Sequence, residues 1–128
     1  MGDRANIIVR EDEKDKGVVL YSHWEGTNLP AKLQAALAKK QRLDDHSYLT
    51  RIIFDTMTEN CHGEETGYGI STFVIDGCKH ILIVSVMESK VFAGYYNYCD
   101  HFILKKEWTF DQYTALTPEE IALVWSQT

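Results

Sequence analysis

The chain has 128 residues, of which 45% are hydrophobic, 25% charged and 12% aromatic. That composition excludes a disordered or fibrous chain and suits one domain, residues 1–128, able to bury roughly two-thirds of its unfolded surface. Thirteen Lys and Arg against nineteen Asp and Glu give a net charge of −6, so binding to a nucleic-acid backbone, which needs a basic face, is not expected.

Ile7, Ile8 and Val9 open the first predicted strand, and Gly17 to Trp24 form the second. Alternation places Val19, Tyr21 and His23 on one face of that strand and Val18, Leu20 and Ser22 on the other. The charged run Arg10 to Lys16 between them reads as a hairpin loop closed by Gly17. Asn28 and Pro30 then mark a helix start, Asn28 as a side-chain cap and Pro30 where no N–H is needed. Leu29, Leu33, Ala36 and Leu37 recur at helical spacing. Asp44 and Asp45 suit the positive end of a second helix, whose apolar stripe is Leu49, Ile52, Ile53 and Met57. Asn60 and Gly63 are its expected terminators.

Residues 64–72 carry two glycines around Tyr68, and a strand is expected through Val74 and Ile75, turned by Asp76-Gly77. His80 to Met87 is apolar on both faces, as a central strand requires. Val91 to Cys99 completes an expected three-stranded meander. Phe102 to Leu104 reads as a further strand with Lys105 and Lys106 guarding an edge. Phe110 to Leu116 reads as a short helix after Thr109. Thr117-Pro118-Glu119-Glu120 is a capped helix start, with Ile121, Val124 and Trp125 pinning that last helix to the body. The predicted fold is α+β: an antiparallel sheet, made of an N-terminal hairpin plus a three-stranded meander, with two central helices and a C-terminal helix packed on it.

Three cysteines, at 61, 78 and 99, without a Cys-x-x-Cys pair make a poor disulfide framework and point to free thiols in a reducing cytoplasm. Cys78 and His80, and Cys99 and His101, are ligand types two residues apart, but zinc needs three or four that converge, so no metal and no cofactor is expected. No stretch approaches the roughly 20 apolar residues of a membrane span, and the N-terminus lacks a signal-peptide core, so the expectation is a cytoplasmic protein without membrane contact.

Four groups carry candidate chemistry. In the segment from Glu65 to Thr72, glycine permits backbone amides to converge on an anion, Ser71 and Thr72 add donors, and Tyr68 offers a ring for stacking. The same segment also suits a plain turn into a strand, and it lacks the lysine and spacing of a phosphate loop. His23 and Trp24 end a strand, where a rigid scaffold positions functional groups. They equally suit an indole closing the core beside an incidental histidine. Tyr95, Tyr96 and Tyr98 form an aromatic strand whose rings serve either a partner or the core. Arg51, one of four arginines, lies off the apolar stripe of the second helix and is the cation expected to neutralise an anionic ligand. No Gly-x-Ser-x-Gly elbow is present, so nucleophilic catalysis has little support. The expected binding surface is Gly67, Tyr68, Gly69, Ser71 and Thr72, helped by His23, Trp24 and Arg51.

The strings Met1 to Ile7, Leu20 to Gly26 with Leu29-Pro30, Ser47 to Phe54 and Glu65 to Ser71 together resemble a group of small uncharacterised proteins of bacteriophages and prophage-bearing bacteria. The resemblance covers roughly residues 1–87. It implies an accessory protein of a mobile element working inside a bacterial host. The expectation that follows is a non-enzymatic counter-defence inhibitor that sequesters a small nucleotide signal. The alternatives are an inhibitor that binds a host protein through its acidic, tyrosine-rich surface, and a small hydrolase acting on a nucleotide signal. A symmetric homo-oligomer is also allowed.

Overall fold

Alternating and continuous apolar runs become six strands of one sheet. A computed structural model describes residues 3–61, 63–64, 66–74, 79–97, 99 and 101–126. The strands are β1 (Ala5–Arg10), β2 (Val18–Ser22), β3 (Tyr68–Ser71), β4 (Ile81–Ser85), β5 (Lys90–Tyr96) and β6 (Phe102–Thr109). Their order across the sheet is β3-β2-β1-β4-β5-β6. The helices are α1 (Leu29–Ala38), α2 (His46–Met57), α3 (Phe110–Thr114) and α4 (Pro118–Ala122), and a 3₁₀ turn, Gly26–Asn28, leads into α1. The α+β expectation and the helices packed on one sheet face are what the structure contains.

Its pairings depart from the expected sheet in two ways. The central strands β1 and β4 run parallel, with Ile7 beside Leu82 and Val9 beside Val84, while every other pair is antiparallel. The meander is β4-β5-β6, because β3, the strand that precedes β4 in sequence, pairs with β2 on the far edge. Val74 lies outside any strand, and Ile75, Asp76 and Gly77 lie outside the described residues. Parallel neighbours need a long crossover, and here α1, α2 and β3 all lie between β1 and β4 in sequence.

The helix-side face of the sheet holds the main core. Ala5, Ile7 and Val9 of β1, Leu20, Leu82, Val84, Val91 and Ala93 meet Leu29, Leu33 and Leu37 of α1 and Leu49, Ile53 and Met57 of α2. Burying each large aliphatic side chain contributes about 1.5–3 kcal/mol, so this layer dominates stability. On the other face a smaller cluster forms from Ile8, Val19, Ile81 and Ile83, with Val74, Phe92, Tyr96 and Phe102 packed against it.

Caps follow the sequence signals except at α1. The Asp45 carboxylate accepts from the Tyr48 amide at the start of α2, and Thr109 and Thr117 form capping boxes with Gln112 and Glu120. Asn28 was expected to cap α1, but its side chain donates to Glu25 instead, at 2.6 Å. The 3₁₀ turn runs straight into the helix and gives Asn28 a helical φ/ψ, whereas a side-chain cap needs an extended one. The end of α2 also falls earlier than Asn60 and Gly63, at Thr58.

Two polar ties fasten the α3 region to α1. Gln34 of α1 donates from Nε2 to the carbonyls of Tyr113 and Leu116, at 3.2 and 2.7 Å. The fully buried Tyr113 donates its hydroxyl to the Pro30 carbonyl at 2.8 Å. Burial pushes that phenol well above its ordinary pKa, so it stays a donor at all physiological pH. Tyr113→Phe removes this buried hydrogen bond and is expected to cost about 1–2 kcal/mol, read from urea denaturation monitored by circular dichroism.

Candidate functional site

The polar and aromatic groups of interest collect at one end of the sheet. The registers Ala5 with Ser22, Ser22 with Tyr68 and Asn6 with Ile81 set the starts of β1, β3 and β4 beside the end of β2. The same end carries the end of β5 and the start of β6, since Tyr96 pairs with Phe102.

His23 and Trp24 leave β2 at this edge. The His23 amide donates to the Gly67 carbonyl at 3.0 Å, and the His23 carbonyl accepts from the Asp3 amide at 2.6 Å. Ser22 Oγ accepts from the Glu25 amide and tightens the turn that follows. Tyr21 and His23 meet edge to face at 5.4 Å, and the Trp24 ring centroid lies 6.4 Å from that of His23. Trp24 is 59% exposed. Together the three rings make an aromatic ledge.

The two glycines of the Gly67–Tyr68–Gly69 segment make room for that ledge. Gly67 has φ +80°, and a Cβ there would stand 2.6 Å from Trp24 Cε3. At Gly69 a Cβ would collide with the Tyr21 ring. Residues 68–71 are an edge strand hydrogen-bonded to β2. Tyr68 turns its ring to the helix side, where it packs on the main core with Lys32 Nζ 5.7 Å from the ring centroid. Burial, then the nearby Glu25 and Cys61, raises the Tyr68 phenol above its ordinary pKa. Ser71 Oγ accepts from the Phe73 amide, and Thr72 is exposed. Glu65 lies outside the described residues.

The structure therefore brings His23, Trp24, Gly67 and Gly69 together. Arg51 has other partners: it pairs with Asp55 one turn on and lies 4.7 Å from the Tyr48 ring centroid. Of the tyrosine strand, Tyr95 and Tyr96 are half-buried on opposite faces, and Tyr98 lies outside the described residues. Among the described residues no three His, Cys, Asp or Glu side chains gather as metal ligands; His62 and Cys78 fall outside them.

Two shallow clefts flank this end. The first, about 170 Å³, is lined by Arg4, Asn6, Tyr21, Ser22 and His23. Asn6 is only 2% exposed, and its Oδ1 has no hydrogen-bond partner. An orphaned buried acceptor costs about 1–3 kcal/mol. The second cleft, about 280 Å³, lies on the helix side between the start of β4, the end of β5 and Trp125. His80 stacks on Trp125 at 4.8 Å, and the Trp125 indole donates to the Gly26 carbonyl at 3.0 Å, which pins the C-terminal segment as the sequence predicts. Sequence reasoning missed Arg4, Asn6, Tyr21, Lys79 and Lys105 as site residues, since none sits in a motif and only the sheet gathers them.

Two outcomes follow from this geometry. Gly67→Ala places a methyl against Trp24 at a left-handed φ and is expected to cost about 1–2 kcal/mol, with a change in tryptophan fluorescence as the indole moves. Burial holds the His80 imidazole below its ordinary pKa; Asp3 opposes this and Lys79 reinforces it. The fold thus favours neutral His80. Its contribution is complete above the unfolded value of about 6.5 and is lost as pH falls below that. Tm measured from pH 7.5 to 5.5 is expected to decline, and less steeply in His80→Asn.

No protein-family model, no curated protein and no solved structure matches this chain.

Proposed function

We propose that this is a non-enzymatic binding protein of phage type, a counter-defence inhibitor that sequesters a small nucleotide signal at the aromatic ledge Tyr21–His23–Trp24. The observation that carries the reading is Trp24, an indole held largely in solvent yet fixed in place over Gly67. A large exposed ring on a rigid strand end suits stacking on a base, which is worth about 1–3 kcal/mol. Arg4, at the rim of the adjoining cleft, offers a cation for phosphate. The net charge of −6 disfavours a long polyanion and leaves small nucleotides. The phage setting rests on the sequence resemblance alone.

One observation favours a second reading, contact with a host protein. Both clefts are shallow and open to solvent, unlike enclosed small-molecule sites, and an exposed tryptophan is a common interface anchor.

Thermal denaturation with a panel of linear and cyclic nucleotides separates the two. Capture raises Tm for at least one compound, Trp24→Ala abolishes the rise, and heating releases the compound unaltered. An altered compound means hydrolysis. A panel that leaves Tm unmoved throughout overturns capture and leaves the protein target, whose binding weakens in high salt.

A further inference from the structure

The cleft on the helix side gathers cations although the chain as a whole is acidic. Among the described residues that line it, two are lysines, Lys79 and Lys105, and none is acidic. The two arrive from different directions. Lys79 is exposed on the segment that leads into β4. Lys105 is placed by an irregularity in the sheet: Ala93 pairs with Lys106 but Gly94 pairs with Leu104, so Lys105 is the extra residue of a bulge. A bulge redirects a side chain that regular alternation would send elsewhere. Here it carries the Lys105 ammonium to 5.7 Å from the Tyr95 ring centroid, at the cleft. Gly94 permits the close approach, since a Cβ there would strike the Ile103 carbonyl. The His80–Trp125 stack forms one wall. Asp3, whose carboxylate accepts from the Thr27 amide, acts electrostatically on His80.

We propose that the cleft between the start of β4, the β5–β6 bulge and Trp125 binds a phosphoryl group, held by the ammonium groups of Lys79 and Lys105. Two point charges match the −1.5 to −2 charge that a phosphate monoester carries near pH 7 better than the single charge of a carboxylate. The Trp125 and Tyr95 rings offer apolar surface to whatever the phosphate is attached to. The site shares the sheet end with the aromatic ledge but does not depend on it.

Isothermal titration of the full chain at low salt tests this, with inorganic phosphate, pyrophosphate, adenosine monophosphate and adenosine as probes. A phosphate-bearing probe is expected to bind more weakly as salt rises. Lys79→Ala and Lys105→Ala are each expected to weaken it about tenfold, the loss of one charge-assisted contact. Lys14→Ala, on the β1–β2 hairpin, leaves binding unchanged. Binding of phosphate or pyrophosphate identifies free phosphate as sufficient, and binding of the monophosphate alone identifies a phosphorylated organic ligand; either supports the site. Both lysines are substituted separately, with melting curves, so a fold lost in one variant leaves the other decisive. The proposal is overturned if no phosphorylated probe binds, or if binding survives in both lysine variants. Nucleotide binding that Trp24→Ala abolishes and the lysine variants spare overturns this site and leaves the ledge standing.

Discussion

The parallel ladder between β1 and β4 is the contact on which the rest of the molecule depends. It joins two antiparallel blocks, β3-β2-β1 on one side and β4-β5-β6 on the other. Ile7, Val9, Leu82 and Val84 face the helices from this ladder, and Ile8, Ile81 and Ile83 face the other way. Strands buried on both faces cannot slip register without moving an apolar set into the wrong layer. The same ladder sets the starts of β1 and β4 side by side, with the Asn6 amide donating to the His80 carbonyl. That single register brings the Asn6 cleft and the His80–Trp125 cleft to one end of the sheet.

Local demands at that end explain its glycines better than a shared anion-binding role does. Gly67 and Gly69 leave space for Trp24 and Tyr21, so two residues from an edge strand hold an aromatic surface contributed by β2. Gly94 does similar work at the bulge, where it lets β6 close on β5 while Lys105 turns aside. In each case a missing Cβ makes room for a neighbouring ring or backbone group. Strand ends are suited to this because the ladder behind them is rigid while the residues beyond it are free of pairing.

Charge behaves in the same local way. The chain carries an excess of six negative charges, yet the lysines at 79 and 105 line one cleft, with no acid among its described lining residues. Arg51, which looked available on the exposed side of α2, is neutralised by Asp55 one turn away. An i,i+4 pair on a helix forms from sequence-local geometry alone, so this pairing was readable from Arg51 and Asp55. The convergence of Lys79 with Lys105, 26 positions apart, was not.

Most element types and their buried faces are local properties, although the strand expected through Val74 is absent among the described residues and Tyr68–Ser71 supplies β3 instead. The period-2 alternation of β2, the stripe Leu49-Ile52-Ile53-Met57, the Asp45 cap and the capping boxes at Thr109 and Thr117 are local chemistry, and each is present in the fold. The sequence also marked His23 and Trp24, because a strand ending in an indole before Glu25-Gly26 is a local signal. The apolar run of β4 announced a central strand without saying which neighbour it takes. Only the tertiary structure decided that β4 lies parallel to β1, that β3 crosses to the far edge, and that a bulge reorients Lys105. The physical reason is common to all three. Pairing partners, register and bulges are fixed by burial summed over segments distant in sequence, and no window of adjacent residues contains that sum.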